Sequence, residues 1–100
     1  LMMGEIKLAL NQPEEARTYF YKFLETYGNE GRGYLGLAKA QSALGSTDSA
    51  MMNLDFACQL DPKNPEPYYL LGNELKKAGK TKEAEQYFQQ YMKLSGMPLQ

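Results

Sequence analysis

A chain of 100 residues carries eleven Lys and Arg against twelve Asp and Glu, with no histidine and one cysteine. The near-neutral balance gives no electrostatic bias toward nucleic acid or anionic lipid, and the apolar runs are too short to span a bilayer. Without histidine there is no Ser-His-Asp or Cys-His nucleophile system; one cysteine neither closes an internal disulfide nor builds a cysteine-rich zinc site.

In chain order, residues 1–10 form the later part of a first helix. The chain opens at Leu1 rather than an initiator Met and reads as an excerpt from a longer protein, with no signal peptide in this segment. Asn11-Gln12 is a turn. Pro13 suits the first position of the next helix, with Glu14 and Glu15 at its positive end. That helix runs over 13–26, with Ala16, Phe20 and Phe23 inward, and Tyr27-Gly28-Asn29 stops it. Two further helices are expected over 30–44 and 48–60. Gly31, Gly33 and Gly36 crowd the start of the first of them, each costing about 1 kcal/mol of helix propensity relative to Ala. Asn64 is placed to cap a helix over 65–78 that begins with Pro65 and ends at Gly79. Thr81 is expected to cap a last helix over 82–95, stopped by Ser95-Gly96.

These helices repeat. Ala16, Ala50 and Ala84 recur every 34 residues, and so do Met3, Leu37 and Leu71. The small residues Gly4, Ala38 and Gly72 keep the same step, as do the turn residues Asn11, Gly45 and Gly79. One slot in phase is cheap by chance; four slots mark a helical solenoid. The units are 1–30, truncated at its N-terminal end, 31–64 and 65–98.

The third unit carries Tyr68, Leu71-Gly72, Leu75, Ala84 and Phe88. This resembles the tetratricopeptide repeat, whose signature is W-x2-L-G-x2-Y, then A-x3-F, then P. Tyr68 takes the Trp slot and Leu75 the Tyr slot. In the second unit Tyr34, Leu37 and Ala38 fill the Trp, Leu and Gly slots, Gln41 replaces Tyr, Leu54 replaces Phe, and Pro62 is the closing Pro. Gly96 stands where the third closing Pro belongs, with Pro98 late. The resemblance implies an all-α, right-handed superhelix of antiparallel helix pairs. Phe23 holds a slot that is usually Ala in this family. It is expected to pack where Gly31 or Gly33 leaves room, a frayed helix start being the alternative.

The resemblance also implies a use: first helices line a concave groove that holds a peptide or a partner segment. The groove residues carried over are Glu5 and Leu8, then Arg32, Leu35, Lys39 and Ser42, then Glu66, Tyr69, Asn73 and Lys76. The 34-residue register sets Tyr69 beside Leu35 and Asn73 beside Lys39, and Gly36 would let a ligand backbone approach. A family subtype grips a C-terminal carboxylate pair. At its slots this chain has Leu1, Glu5, Gly36, Glu66 and Leu70, and only Asn73 fits, so a chaperone-tail receptor is not expected. The second reading is self-association. Tyr91 stands where the family has Ala, beside Met92 and Leu94, with Met97 and Leu99 beyond. Solenoid ends need a polar outer face, so a second chain, the folded-back tail or missing sequence is expected to cover this one.

No catalytic, metal or cofactor site is expected. Gly31-Arg-Gly33-Tyr-Leu-Gly36 matches G-x-G-x-x-G in letters, yet dinucleotide binding needs a preceding strand and a helix ends there instead. Glu14/Glu15 and Glu83/Glu85 open helices, where acids favour the dipole. Lys76, Lys77, Lys80 and Lys82 surround one turn and lack the aromatic interleaving of a nucleic-acid site. Cys58 reads as a buried small hydrophobe; a lone reduced thiol fits a cytoplasmic setting better than a secreted one. The partner the resemblance implies is a protein or peptide; no nucleic acid and no membrane insertion are expected.

Overall fold

The computed structural model describes residues 1–97, so the closing residues Pro98 and Leu99 lie outside the described residues. Six helices and no strand occur among the described residues: α1 Met2–Ala9, α2 Pro13–Tyr27, α3 Gly31–Ala43, α4 Thr47–Leu60, α5 Glu66–Lys77 and α6 Thr81–Ser95. Every end falls within one residue of the sequence expectation.

The three turns inside the repeats are one structure built three times. Asn11, Gly45 and Gly79 all adopt positive φ, at 58°, 81° and 81°. In each turn the next N–H reaches five residues back: Gln12 to the Lys7 carbonyl at 2.8 Å, Ser46 to Gln41 at 2.8 Å, Lys80 to Leu75 at 2.9 Å. This bond closes a Schellman turn, and it requires a residue that tolerates the left-handed region. Glycine does so freely and asparagine better than most. That is why the in-phase position is Asn, Gly, Gly. The following helix then begins at once, so Thr81 is the first residue of α6 and makes no side-chain cap bond, contrary to expectation; Lys80 holds the cap position. At α5 Pro65 holds the cap position, and Asn64 just before it accepts the Glu66 N–H on its Oδ1 at 3.2 Å.

Each helix packs on the next, and α1 also meets α3. Ala16, Ala50 and Ala84 are buried in this packing, at most 1% exposed. The small in-phase residues make room for aromatics. The buried Phe20 ring lies where a Cβ on Gly4 would stand, 2.8–2.9 Å from its edge atoms, and it also fills the space above Gly36. Phe88 does the same above Gly72, at 2.6 Å. Of the two glycines proposed to accommodate Phe23, Gly33 is the one: its Cβ would meet Phe23 at 2.8 Å and Leu24 at 2.7 Å, whereas Gly31 faces Asp61 and Leu60. The helix-propensity cost of these glycines is offset by the aromatic and aliphatic burial they permit.

Gln41, in the slot where the family carries Tyr, is buried and accepts a hydrogen bond from the buried Asn53 Nδ2 at 2.7 Å. The pair ties α3 to α4 and gives the Gln41 oxygen and an Asn53 N–H a partner where an unpaired one would be costly. Two apolar clusters form the core of the described residues. One joins Ala16, Phe20, Leu37 and Ala40; the other runs from Leu35 and Ala38 through Leu54 and Cys58 to Leu71, Leu75 and Ala84.

Candidate functional site

The first helices α1, α3 and α5 lie side by side and leave three adjoining hollows along one face. The first, about 270 Å³, opens between α1 and α3, with Glu5, Leu8, Arg32 and Gly36 on one side and Lys39, Asp61, Asn64 and Glu66 beyond. The middle hollow, also about 270 Å³, lies over Ala38, Ala43 and Leu54, with Leu70 and Glu74 opposite. The last, about 400 Å³, is bounded by Ser42, Leu70, Asn73, Glu74, Lys76 and Lys77. Two polar contacts bridge α3 to α5 across this face. Lys39 Nζ pairs with Glu66 Oε2 at 2.6 Å, and Ser42 Oγ donates to Glu74 Oε1.

Arg32, Lys39 and Glu66 thus border the first hollow, and Ser42, Asn73 and Lys76 the last. Leu35 is 7% exposed, part of the core with only an edge toward the first hollow. Tyr69 is a correction. Its ring turns toward α6, with centroids 5.9 Å from Phe88 and 5.0 Å from Tyr91. The reason is geometric. Residues 34 apart are equivalent, not adjacent; contacting helices meet through opposite sides. The side of α5 that faces α3 carries Glu66, Leu70 and Glu74, and the side bearing Tyr69 looks the other way. Gly36 is a second correction: Phe20 already occupies the space its missing side chain leaves, so the glycine serves packing rather than ligand approach.

Leu70 and Glu74 were missed. One signal for Glu74 was present, since the equivalent positions hold Ile6 and Ala40. Here that position carries a carboxylate bonded across to Ser42 on α3.

Tyr91, Met92 and Leu94 are only partly exposed, because Tyr69 covers Tyr91. The more open apolar stripe is Met52, Phe56 and Leu60 along the outer face of α4, each at least 41% exposed. Among the described residues no cluster of three or more His, Cys, Asp or Glu is placed to hold a metal, and no helix is long and apolar enough to cross a membrane. Burial, aided by the nearby Asp55, pushes the Cys58 thiol up to about 12, which removes the thiolate a nucleophile needs.

Sequence profiles described as tetratricopeptide repeat match residues 57–86 and residues 1–29. Together with the thrice-repeated turn and helix pair, this decides the family. The chain is a tetratricopeptide repeat protein. No curated protein sequence matches it. Among solved structures, the tetratricopeptide chain superimposes on MamA with TM-score 0.89 and 20% identity, covering 94% of this chain and 55% of that one. A second similar structure is the type III secretion chaperone SycD of Yersinia enterocolitica in complex with a peptide of the translocator YopD. There the TM-score is 0.88 at 22% identity, over 93% of this chain and 71% of that one. A third is PcrH in complex with the chaperone-binding region of PopB, at TM-score 0.89 and 18% identity, over 97% and 79%. The chain therefore spans little more than half of the MamA structure, and at these identities the likeness establishes the fold.

Proposed function

We propose that this tetratricopeptide repeat protein is a non-catalytic scaffold that binds an extended protein segment along α1, α3 and α5, with the middle hollow as its anchor. The observation that carries the reading is that hollow. Leu54, Leu70, Ala38 and Ala43 give it apolar walls, and Ser42 and Glu74 put polar atoms at its rim. An apolar recess with a few placed polar groups is the usual composition of a ligand anchor. Two of the similar folds, SycD and PcrH, are described with segments of a partner protein bound, which supports the same use here. The anchor moves from Tyr69 to Leu70. In peptides selected from a random-sequence display library, Leu70→Ala should weaken binding by about 2 kcal/mol, the scale of a central interface residue. Tyr69→Ala should leave it within about 0.5 kcal/mol. If Leu70→Ala binds normally, the groove is not the site.

Self-association is the second reading, and α4 favours it more than the C-terminal helix. Met52, Phe56 and Leu60 share one exposed face, while the equivalent residues are Thr18, Lys22 and Thr26 in the first repeat and Gln86, Gln90 and Leu94 in the third. The repeat is built without apolar residues at most of these positions; Phe56 packs on Tyr34 with centroids 5.2 Å apart, and the rest of the stripe stays open to a partner. Sedimentation of wild type and Phe56→Lys over a range of concentrations tests it; a wild type that stays monomeric throughout removes this reading.

A further inference from the structure

Glu74 is 4% exposed, at a helix position that the sister repeats fill with Ile6 and Ala40. It borders both the middle and the last hollow. Ser42 donates to its Oε1, and the largely exposed Lys77 Nζ stands 3.8 Å from that same oxygen, beyond hydrogen-bond distance. The described hydrogen bonds and ion pairs to this carboxylate thus fall on Oε1. No described side-chain polar atom is both buried and without a partner, so Oε2 keeps some exposure, and Glu74 lines the two hollows of the groove. Of the other cations on this face, Lys76 borders only the last hollow, and Lys39, which borders the middle one, is engaged elsewhere. Its Nζ is held on Glu66 at 2.6 Å, eight residues and roughly 12 Å along α5 from Glu74. Its aliphatic stem remains to wall the middle hollow.

Resting on the groove reading above, we propose that the middle hollow takes a lysine or arginine side chain of the bound segment. Its methylenes lie along Leu54, Leu70 and Ala38, and its charged head bonds Glu74 Oε2. The shape and the charge both point there. A volume of about 270 Å³ is below the range of whole small-molecule sites and suits one long side chain. Lysine and arginine are the side chains that join an apolar stem to a cationic head. A purely apolar anchor would shut Oε2 away from water with no donor, and an acidic one would meet like charge. A carboxylate with one oxygen already bonded by Ser42 is held in place for a charge-assisted bond at the other.

The test is selection of random-sequence peptides on the wild-type chain and, in parallel, on Glu74→Gln, which keeps the size and the acceptor for Ser42. Wild type should enrich a basic residue at one position of the selected peptides, and Glu74→Gln should not. For the best peptide, Glu74→Gln and replacement of its basic residue by methionine should each weaken binding about tenfold or more. The double change should cost little beyond either single one, the mark of a direct pair. Because the pair is desolvated, most of the loss should persist at high salt. Selected peptides that depend on Leu70 but carry no basic preference, or that bind Glu74→Gln as tightly as wild type, overturn the proposal and leave the groove reading standing. Selected peptides that ignore Leu70→Ala overturn both. Circular dichroism of each variant confirms that the helices are retained.

Discussion

Gly36 gives the sharpest test of how the repeats interlock. A Cβ built there would lie 2.6 Å from Phe20 Cδ1 and closer still to Cε1 and Cζ. Ordinary carbon contacts begin near 3.5 Å, so the ring must move by about 1 Å. It has little room to do so: Phe20 is 0% exposed, and its edge atoms also pack against Gly4, where they stand 2.8–2.9 Å from the position a Cβ would take. Inserting one methyl into a packed site costs about 1–3 kcal/mol, and a ring packed against both glycines belongs at the upper end. Against this, Gly→Ala within a helix returns about 1 kcal/mol of propensity. Gly36→Ala should therefore destabilise by about 2 kcal/mol, a fall in Tm of about 8–16 °C for a domain of this size, read by circular dichroism at the helix band. Gly31→Ala is the internal control. Its nearest neighbour, Asp61 Cβ at 3.3 Å, sits on an exposed side chain, so it should be neutral or slightly stabilising. Adding Phe20→Leu to Gly36→Ala should recover part of the loss, giving a coupling energy of at least about 0.5 kcal/mol in a double-mutant cycle. If Gly36→Ala raises Tm, the contact between α2 and α3 is not the one described.

Three further outcomes are expected. Ala50→Leu, at a site 0% exposed between α3 and α4, should overpack and cost about 1–3 kcal/mol in urea unfolding. Gly79→Ala, at φ 81°, should cost about 1–2 kcal/mol because a Cβ is strained in the left-handed region, whereas Asn11→Gly at φ 58° should be neutral or stabilising. For Cys58 the folded thiol is raised from 9.0 to about 12, first by burial and then by Asp55. Between those values the folded state holds a proton that the unfolded chain has lost. Stability should therefore fall as pH rises through that window. The Tyr68 and Tyr87 hydroxyls, also raised chiefly by burial, act in the same direction. The urea midpoint should be lower at about pH 10 than at about pH 8, and Cys58→Ala should lessen the drop.

The helices were legible because the signals that set them are local. Positive φ at one position of a turn demands Gly or Asn, and that demand recurs at Asn11, Gly45 and Gly79. A buried helix crossing demands a small side chain, which recurs at Ala16, Ala50 and Ala84. The pairing of Phe23 with Gly33 was legible for a similar reason, since a bulky residue in a small slot needs space from a neighbour. The absent cap at Thr81 was not: Thr at a helix start is a good statistical cap, but the Schellman bond from Lys80 to Leu75 brings the chain into α6 one residue early.

The groove was harder to read because repetition in sequence tells which residues are equivalent, and binding depends on which are adjacent. Lys39 lies 27 residues from its partner Glu66, and Ser42 lies 32 from Glu74; neither separation is the repeat length. In a stack of parallel first helices, one flank of each helix meets the flank of opposite aspect on the next. Lys39 and Ser42 on the far side of α3 therefore face Glu66, Leu70 and Glu74 on the near side of α5. Tyr69 and Asn73 are the equivalents of Leu35 and Lys39. They belong to the far side of α5, where Tyr69 packs on Phe88 and Tyr91 and Asn73 reaches the end of the last hollow. The register that reveals the fold so readily thus points to Tyr69, one residue from the proposed anchor Leu70, and one residue on a helix is a rotation of about 100°. What the repeat can disclose about function lies in its breaks. Glu74 departs from Ile6 and Ala40, and Phe56 departs from Lys22 and Gln90. Such departures mark positions where the solenoid asks for one kind of residue and this chain supplies another.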